Sequence, residues 1–259
     1  MKILLTGSTG YIGRRLLPVL IEDGHDIVCL VRDQRRFDWE DFSDSFLQKV
    51  KVIEADLTNP ESMTDLPTDI DIAYYLVHSM SSSHDDFSSM EAQSASHFVS
   101  YISQTSARQI IYLSGIVNAQ DLSDHLLSRK NVESILRTSP VPLTVLRSAI
   151  IIGSGSASFE IIRDLVEKLP IMIAPKWLKT RCQPIGVRNV IEYLKGVILL
   201  PEAYGQTFDI GGSDILTYKQ MLLSYAKVRQ LKRWIITVPV LTPKLSSLWL
   251  VFVTSTTYS

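Results

Sequence analysis

Three glycines, Gly7, Gly10 and Gly13, are the first residues of this 259-residue chain whose spacing could do chemistry. They stand in Thr6-Gly7-Ser8-Thr9-Gly10-Tyr11-Ile12-Gly13, between the apolar run Lys2–Thr6 and a helical pattern that opens at Tyr11. A glycine closing a strand permits a tight turn, and a second lets backbone amides approach a charged group. A third lets the helix pack closely on the strand. Unpaired N–H groups at the helix start, with the helix dipole behind them, then face anionic oxygens. The implied chemistry is the grip of a pyrophosphate by Gly7, Thr9, Gly10, Tyr11, Ile12 and Gly13. A glycine-rich turn without a ligand would read the same way, but the placement between a clean strand and a clean helix favours a nucleotide.

Which dinucleotide is read at the end of the second apolar run, Asp26–Val31. NAD binders place an acid there, about 20 residues past the glycines, to hold both ribose hydroxyls. This chain has Leu30-Val31-Arg32-Asp33, with Arg35 and Arg36 close behind. Arg32 could form a bidentate, charge-assisted pair with a 2′-phosphate, which favours NADP(H). NAD(H) is the alternative, with Arg32 a solvated loop residue and Asp33 on the ribose. Asp56-Leu57 follow the third run, where a short polar side chain could reach the adenine edge or equally serve a turn. Val77-His78-Ser79 follow the fourth run and are expected over the nicotinamide half. Val77 is taken as a cofactor contact, and His78 as a satisfied loop histidine with no chemical role.

The elements that must position these residues alternate through the first half. Strands are expected at Lys2–Thr6, Asp26–Val31, Val50–Glu54, Asp71–Val77, Gln109–Ser114 and Leu143–Arg147. Helices are expected at 11–22, 85–105 and 126–137, with a short one near 61–65. Strands apolar on both faces and separated by helices imply an α/β fold, a Rossmann-type doubly wound parallel sheet. In the second half, prolines at 170, 175, 184, 201, 239 and 243 cut the chain into short pieces. Helices are expected at 187–199 and 218–228, and a short strand at Phe208–Ile210. The expected organisation is a nucleotide-binding core over residues 1–150 and a small C-terminal substrate lobe over 151–259, packed on the same domain. The run Thr254–Ser259 closes no element, which leaves a truncated C-terminus open.

Composition narrows the class. Lys plus Arg (26) nearly balance Asp plus Glu (27), so no nucleic-acid surface is expected. Cys29 and Cys182 form no metal or disulfide framework, and Cys29 reads as a small core residue. Glycines interrupt the first apolar run before a secretory core forms, and the stretch 249–253 is too short and too broken by Pro239, Pro243 and Lys244 to span a bilayer. A soluble, cytoplasmic protein without a membrane partner is expected.

Taken together, Thr6-Gly-x-x-Gly-x-x-Gly13, Asp56-Leu57, Tyr74-Tyr-Leu-Val-His-Ser-Met80 and Tyr112-Leu-Ser-Gly115 resemble the atypical short-chain dehydrogenase/reductases of the NmrA-like group. Ser154-Gly-Ser-Ala-Ser-Phe-Glu160, Leu169-Pro170, Pro175-Lys-Trp177 and Gln183-Pro-Ile185 look like a bacterial subgroup described as NAD(P)H-binding proteins or nucleoside-diphosphate-sugar epimerases. Active members of the wider superfamily use a Tyr-x-x-x-Lys helix beside a serine after the fifth strand. Tyr moves the proton, Lys holds the nicotinamide ribose, and Ser orients the carbonyl. Ser114 matches the serine. The helix start reads His125-Leu-Leu-Ser-Arg129, so Tyr becomes His and Lys becomes Arg, and no tyrosine occurs between Tyr112 and Tyr193. Imidazole exchanges protons near neutral pH, and Arg129 could still hold a ribose hydroxyl. A cation one helical turn away favours neutral imidazole, a poorer acid. The bland alternative makes His125 a helix-flanking residue and Arg129 a cofactor clamp or surface residue.

The resemblance also puts the substrate pocket in the second half. Ser156, Ser158 and Glu160 would lie near a ligand, or would simply stabilise a helix start; Phe159 and Trp177 would be pocket wall or core. The leading expectation is an NADP(H)-dependent oxidoreductase acting on a small organic substrate, with Ser114 polarising a carbonyl and His125 relaying a proton. The rival is a non-catalytic NADP(H)-binding sensor that contacts a regulatory protein partner. Sugar-nucleotide epimerisation is third, because it normally needs the tyrosine as base.

Overall fold

The computed structural model describes residues 1–37, 43–78, 84–116 and 124–238, without the side chains of 44–45, 84–87 and 124–125. Runs such as Ile3-Leu4-Leu5 and Ile27-Val28-Cys29-Leu30 bury every side chain, which a strand permits only when both sheet faces are covered. The strands β1 (Lys2–Thr6), β2 (Asp26–Val31), β3 (Val50–Glu54), β4 (Ile72–Tyr75), β5 (Gln109–Gly115) and β6 (Leu143–Ser148) form such a sheet. The helices between them are α1 (Gly13–Glu22), α2 (Asp44–Leu47), α3 (His84–Ile102) and α4 (Asp124–Leu136). With the later strand β11 (Thr207–Ile210), the seven strands lie in the order β11-β6-β5-β4-β1-β2-β3, all parallel. The order reverses between β1 and β4, and Leu5 pairs with both Cys29 and Tyr74. That reversal is where such sheets open a crevice for ligands, and the glycine turn leaves β1 there.

The doubly wound sheet is the expected one, with β4 shorter than expected. At its start the Asp71 carboxylate accepts from the Lys2 backbone N–H, and at its end the Leu76 N–H donates to the Thr6 hydroxyl. Both groups leave the ladder for a side chain. Beneath the sheet, Tyr75 meets Phe98 and Tyr112 edge to face, with ring centroids 4.9 and 5.9 Å away.

The expected division at residue 150 needs correction. One compact unit holds Met1–Ser148 and Arg188–Ile210, and the other holds Ala149–Val187 and Gly211 onward. The returning segment carries β11 and most of α6 (Val187–Gly196). Buried polar bonds hold it to the first unit. The Tyr74 hydroxyl donates to the Leu194 carbonyl, and Thr144 Oγ1 donates to the Ala203 carbonyl. Fully buried Gln109 donates to the Val197 carbonyl and accepts from the Leu199 N–H. That last bond takes Leu199 at φ 48°, so α6 stops at Gly196 short of the expected Leu199.

The second unit is built from short pieces. Strands β7 (Ile151–Ile152) and β10 (Ile185–Gly186) pair in parallel, as do β8 (Ile171–Pro175) and β13 (Trp234–Val238). Strands β9 (Arg181–Cys182) and β12 (Leu216–Thr217) pair antiparallel. Helices α5 (Ala157–Lys168) and α7 (Tyr218–Val228) cover a core that includes Val166, Met172, Ala174, Leu222 and Ile235. Along β8 and β13, Ile171, Ile173, Trp234 and Ile236 alternate with these and face outward. Helix α7 starts in a capping box: Thr217 Oγ1 accepts from the Gln220 N–H, and Gln220 Oε1 accepts from the Thr217 N–H. Thr217→Ala is expected to cost about 1 kcal/mol. A lower urea midpoint at unchanged slope would register it.

Among the described residues no helix is long and apolar enough to cross a membrane. No His, Cys, Asp and Glu cluster there could hold a metal.

Candidate functional site

The glycine turn is shaped by two positions that admit no side chain. Gly7 has φ +70°, and a Cβ there would lie 2.5 Å from the Leu76 carbonyl oxygen. The turn therefore presses on the chain just beyond β4. The Thr6 hydroxyl fastens the same place, donating to the Tyr74 carbonyl and accepting from the Leu76 N–H. A Cβ on Gly13 would lie 2.2 Å from the Gly7 carbonyl oxygen and 2.7 Å from Ser8 Cα. The third glycine is thus required by the turn folding back on itself, not by helix-on-strand packing as expected.

Exposed Gly10 tops the turn, its N–H on the Gly7 carbonyl, and half-buried Thr9, Tyr11 and Ile12 flank it. Ile12 occupies the N-cap and offers no side-chain acceptor. The amides of Ile12 and Gly13 head α1 where no preceding carbonyl takes them. Ser8, buried within the turn, has a hydroxyl without a hydrogen-bond partner. A cradle closed to side chains, with amides at an uncapped helix start, has the shape and polarity to hold a diphosphate.

At the end of β2 the two acid and base candidates separate. Asp33 Oδ1 accepts from Arg35 N–H and Nε–H, and its Oδ2 accepts from Arg35 Nη2. These bonds from Arg35 hold the Asp33 carboxyl below the usual carboxylate range. Arg32 is exposed. Asp56 serves a turn, its Oδ1 accepting from the Thr58 N–H and hydroxyl. Leu57 is buried in the core of the first unit, and half-buried Val77 packs against that core.

At the end of β5, Ser114 is 1% exposed and its hydroxyl has no hydrogen-bond partner. The Tyr112 phenol is its neighbour on the same strand face, and its hydroxyl donates to the Arg129 carbonyl at 3.5 Å. Burial pushes that phenol up to about 12, against the opposing pull of Ser114 and Arg129. It stays protonated at neutral pH. Arg129 reaches the same strand end: its Nη1 would be 3.7 Å from a Cβ on Gly115. The structure thus brings Ser114 and Arg129 together. His125 lies in the first turn of α4, and its side chain is outside the described residues.

Two charged clusters escape a reading by sequence. Glu91 of α3, 5% exposed, meets His78 Nδ1 at 2.7 Å and accepts from the Ser128 hydroxyl of α4. Glu133 of α4, also buried, accepts from Arg147 on β6 and from Arg137. A signal for the first existed. Glu91 shares the i, i+4, i+7, i+11 stripe of α3 with Ala95, Phe98 and Ile102, all fully buried. An acid on such a stripe requires a partner.

The second-unit candidates serve the start of α5. Ser156 is its N-cap residue, but its hydroxyl donates to the Ile151 carbonyl. Glu160 accepts from the Gly155 N–H and pairs with Arg163, while Ser158 is exposed. Phe159 packs on Tyr225, and Trp177, 43% exposed, on Tyr218.

Comparison with known proteins places this arrangement. Residues 3–117 match the NAD dependent epimerase/dehydratase family. A nucleoside-diphosphate-sugar epimerase from Staphylococcus aureus superposes with a TM-score of 0.76 at 19% identity, covering 96% of this chain and 84% of that one. A short-chain dehydrogenase/reductase superfamily protein from Agrobacterium tumefaciens with bound NAD gives 0.71 at 15% identity, covering 92% and 85%. The chain shares the fold of these epimerase and short-chain dehydrogenase/reductase structures. Among curated relatives, the photosystem II assembly factor Ycf39 of Trieres chinensis is 23% identical over 215 residues, 82% of this chain. The match spans 64% of that relative's own length. The sequence resemblance sets Ser114, Arg129 and His125 against the serine, lysine and tyrosine of the short-chain dehydrogenase/reductases.

Proposed function

We propose that the chain is an NADP(H)-dependent oxidoreductase of the atypical, NmrA-like short-chain dehydrogenase/reductase type, cytoplasmic and acting on a small organic carbonyl compound. One observation carries the reading: a buried, unpartnered Ser114 hydroxyl beside Arg129 at the strand end that follows the dinucleotide turn. An unpaired buried hydroxyl costs about 1–3 kcal/mol unless a ligand meets it.

In this reading the turn at Gly7 to Gly13 holds the diphosphate, and Arg129 clamps the nicotinamide ribose. Ser114 donates to the carbonyl oxygen and polarises it. The reduced nicotinamide supplies the hydride equivalent, while the protein supplies position and polarisation. The sequence offers His125 for the proton.

The preference for NADP(H) rests on the end of β2. Asp33, the acid that would hold a ribose diol, already spends both oxygens on Arg35, whereas Arg32 is exposed for a 2′-phosphate. Arg32→Ala is expected to weaken NADPH binding about 10- to 100-fold, the loss of one charge-assisted pair of roughly 1.5–3 kcal/mol. NADH binding should hardly change. Calorimetric titration of both nucleotides into both proteins checks this, and an unchanged NADPH/NADH ratio would refute the role of Arg32.

A second reading has its own support. The lost tyrosine, and a relative whose name is that of an assembly factor, favour a non-catalytic NADP(H) sensor that contacts a protein partner. Epimerisation of a sugar nucleotide ranks below both, since the tyrosine base is lacking. Nicotinamide absorbance followed against a panel of aldehydes, ketones and quinones separates the first two. Turnover abolished by Ser114→Ala supports the enzyme; tight NADPH binding without turnover supports the sensor.

A further inference from the structure

The near balance of charge over the whole chain conceals an uneven division. The unit Met1–Ser148 with Arg188–Ile210 carries 15 Lys and Arg against 23 Asp and Glu. The unit Ala149–Val187 with Gly211–Ser259 carries 11 against 4. Three of those four acids lie on α5 and are spent there: Glu160 and Asp164 pair with Arg163, and Glu167 pairs with Arg229. The stretches 169–187 and 215–238, which supply β8, β13 and α7, hold eight Lys and Arg and no acid. Among them Lys176, Lys179 and Lys232 are exposed and have no ion-pair partner among the described residues.

An apolar face lies between these cations. Parallel strands ordinarily have both faces covered, and α5 and α7 cover one face of the β8–β13 pair. On the other face the register sets Trp234 beside Ile171 and Ile236 beside Ile173. These four side chains are 55 to 70% exposed. Lys232 stands two residues before Trp234, and Lys176 directly follows Pro175, the last residue of β8. Because the strands run parallel, Lys232 lies at one end of the apolar patch, and Lys176 and Lys179 follow the other.

We propose that this face of the second unit is a docking surface for an anionic lipid bilayer. The tryptophan and three isoleucines enter the headgroup boundary, where an aromatic ring with a polar N–H is favoured. The lysines stay among the phosphates and add attraction to an anionic leaflet. Nucleic acid would suit the cations but would leave the isoleucines against phosphate and sugar. A bilayer meets both halves of the face. Docking of this kind is peripheral and departs from the expectation of no membrane partner, which concerned spanning segments.

Co-sedimentation of the full chain with vesicles tests the surface. Binding is expected to vesicles of phosphatidylglycerol and phosphatidylcholine, weakened by salt, and not to phosphatidylcholine alone. Trp234→Ser with Ile236→Ser should lower the partition coefficient about 10-fold. Lys176→Ala with Lys179→Ala should lower it about fivefold per lysine. The substituted side chains are exposed, so thermal melts should not move. Tryptophan emission should shift to the blue on adding the anionic vesicles, and the shift should vanish in Trp234→Phe. Equal binding to phosphatidylcholine alone, or anionic-vesicle binding that survives the Trp234 and Ile236 changes, overturns the proposal. So does a DNA duplex that binds while the vesicles do not. Trp234 already shielded from iodide without vesicles also overturns it: the face is then covered by a second copy if dilution removes the shielding, and by residues 239–259 if it does not.

Discussion

Gly13→Ala is expected to raise the Kd for either nicotinamide nucleotide at least about 100-fold. The new methyl would meet the Gly7 carbonyl oxygen at 2.2 Å and Ser8 Cα at 2.7 Å. Both are backbone atoms, so no rotamer change can relieve the clash. Either α1 withdraws from the turn or Gly7 leaves its φ of +70°, a conformation that presses it on Leu76. Each route moves the amides of the cradle by a large fraction of an ångström, and misplacement of about 1 Å costs a factor near 100. Overpacking also destabilises the fold by about 1–3 kcal/mol. Calorimetry and a thermal melt read the two effects separately. A variant that binds NADPH as the wild type does would remove the turn from the site.

Loss of the Glu133 carboxylate is the second large effect. Glu133→Ala is expected to cost about 3 kcal/mol, the low end for breaking a buried ion pair. The low end applies because the Arg147 side chain is still 25% exposed and recovers some water. Glu133 holds Arg147 through both oxygens, at 2.9 and 3.0 Å from Nη2, and holds Arg137 at 3.0 Å. Arg137 also donates to the Gly205 carbonyl and to Thr207 Oγ1, so the cluster fastens α4 to β6 and to the entry of β11. Urea unfolding measures the loss. Adding Arg147→Met to Glu133→Leu should recover much of it, since the stranded cation goes too. A single variant that loses under about 1 kcal/mol would show the cluster to be a surface contact in energetic terms.

Most of the first unit was legible because its signals are local. The bounds of β1, β2 and β3 coincide with the runs read from sequence: β1 and β2 are apolar stretches buried on both faces, and β3, a half-exposed edge strand, is marked by its β-branched residues. The helix α7 likewise begins and ends as expected, at Tyr218 and Val228. The glycine spacing was legible for the same reason, although the cause of Gly13 was not: it depends on how the turn folds over Gly7. Strands of two residues, such as β7 and β10, carry no period to read, and they exist only through their partner. The segment 188–210 was assigned to the wrong unit. Its apolar pattern says only that it is buried, while β6, Gln109 and Tyr74 decide where.

The site divides along the same line. Sequence alone determined that a turn of three glycines spaced as in dinucleotide-binding proteins follows the first strand, and its resemblance sets a serine and an arginine against the serine and lysine of the short-chain dehydrogenase/reductases. It also determined that the tyrosine is missing, because these are statements about neighbours along the chain. Tertiary structure decided that the Ser114 hydroxyl is buried without a partner, and that Glu91 joins His78 to Ser128. Those pairings span up to 37 residues of chain and depend on distances of a few tenths of an ångström. No local pattern encodes such distances; only the packing of α3 and α4 beneath the sheet sets them.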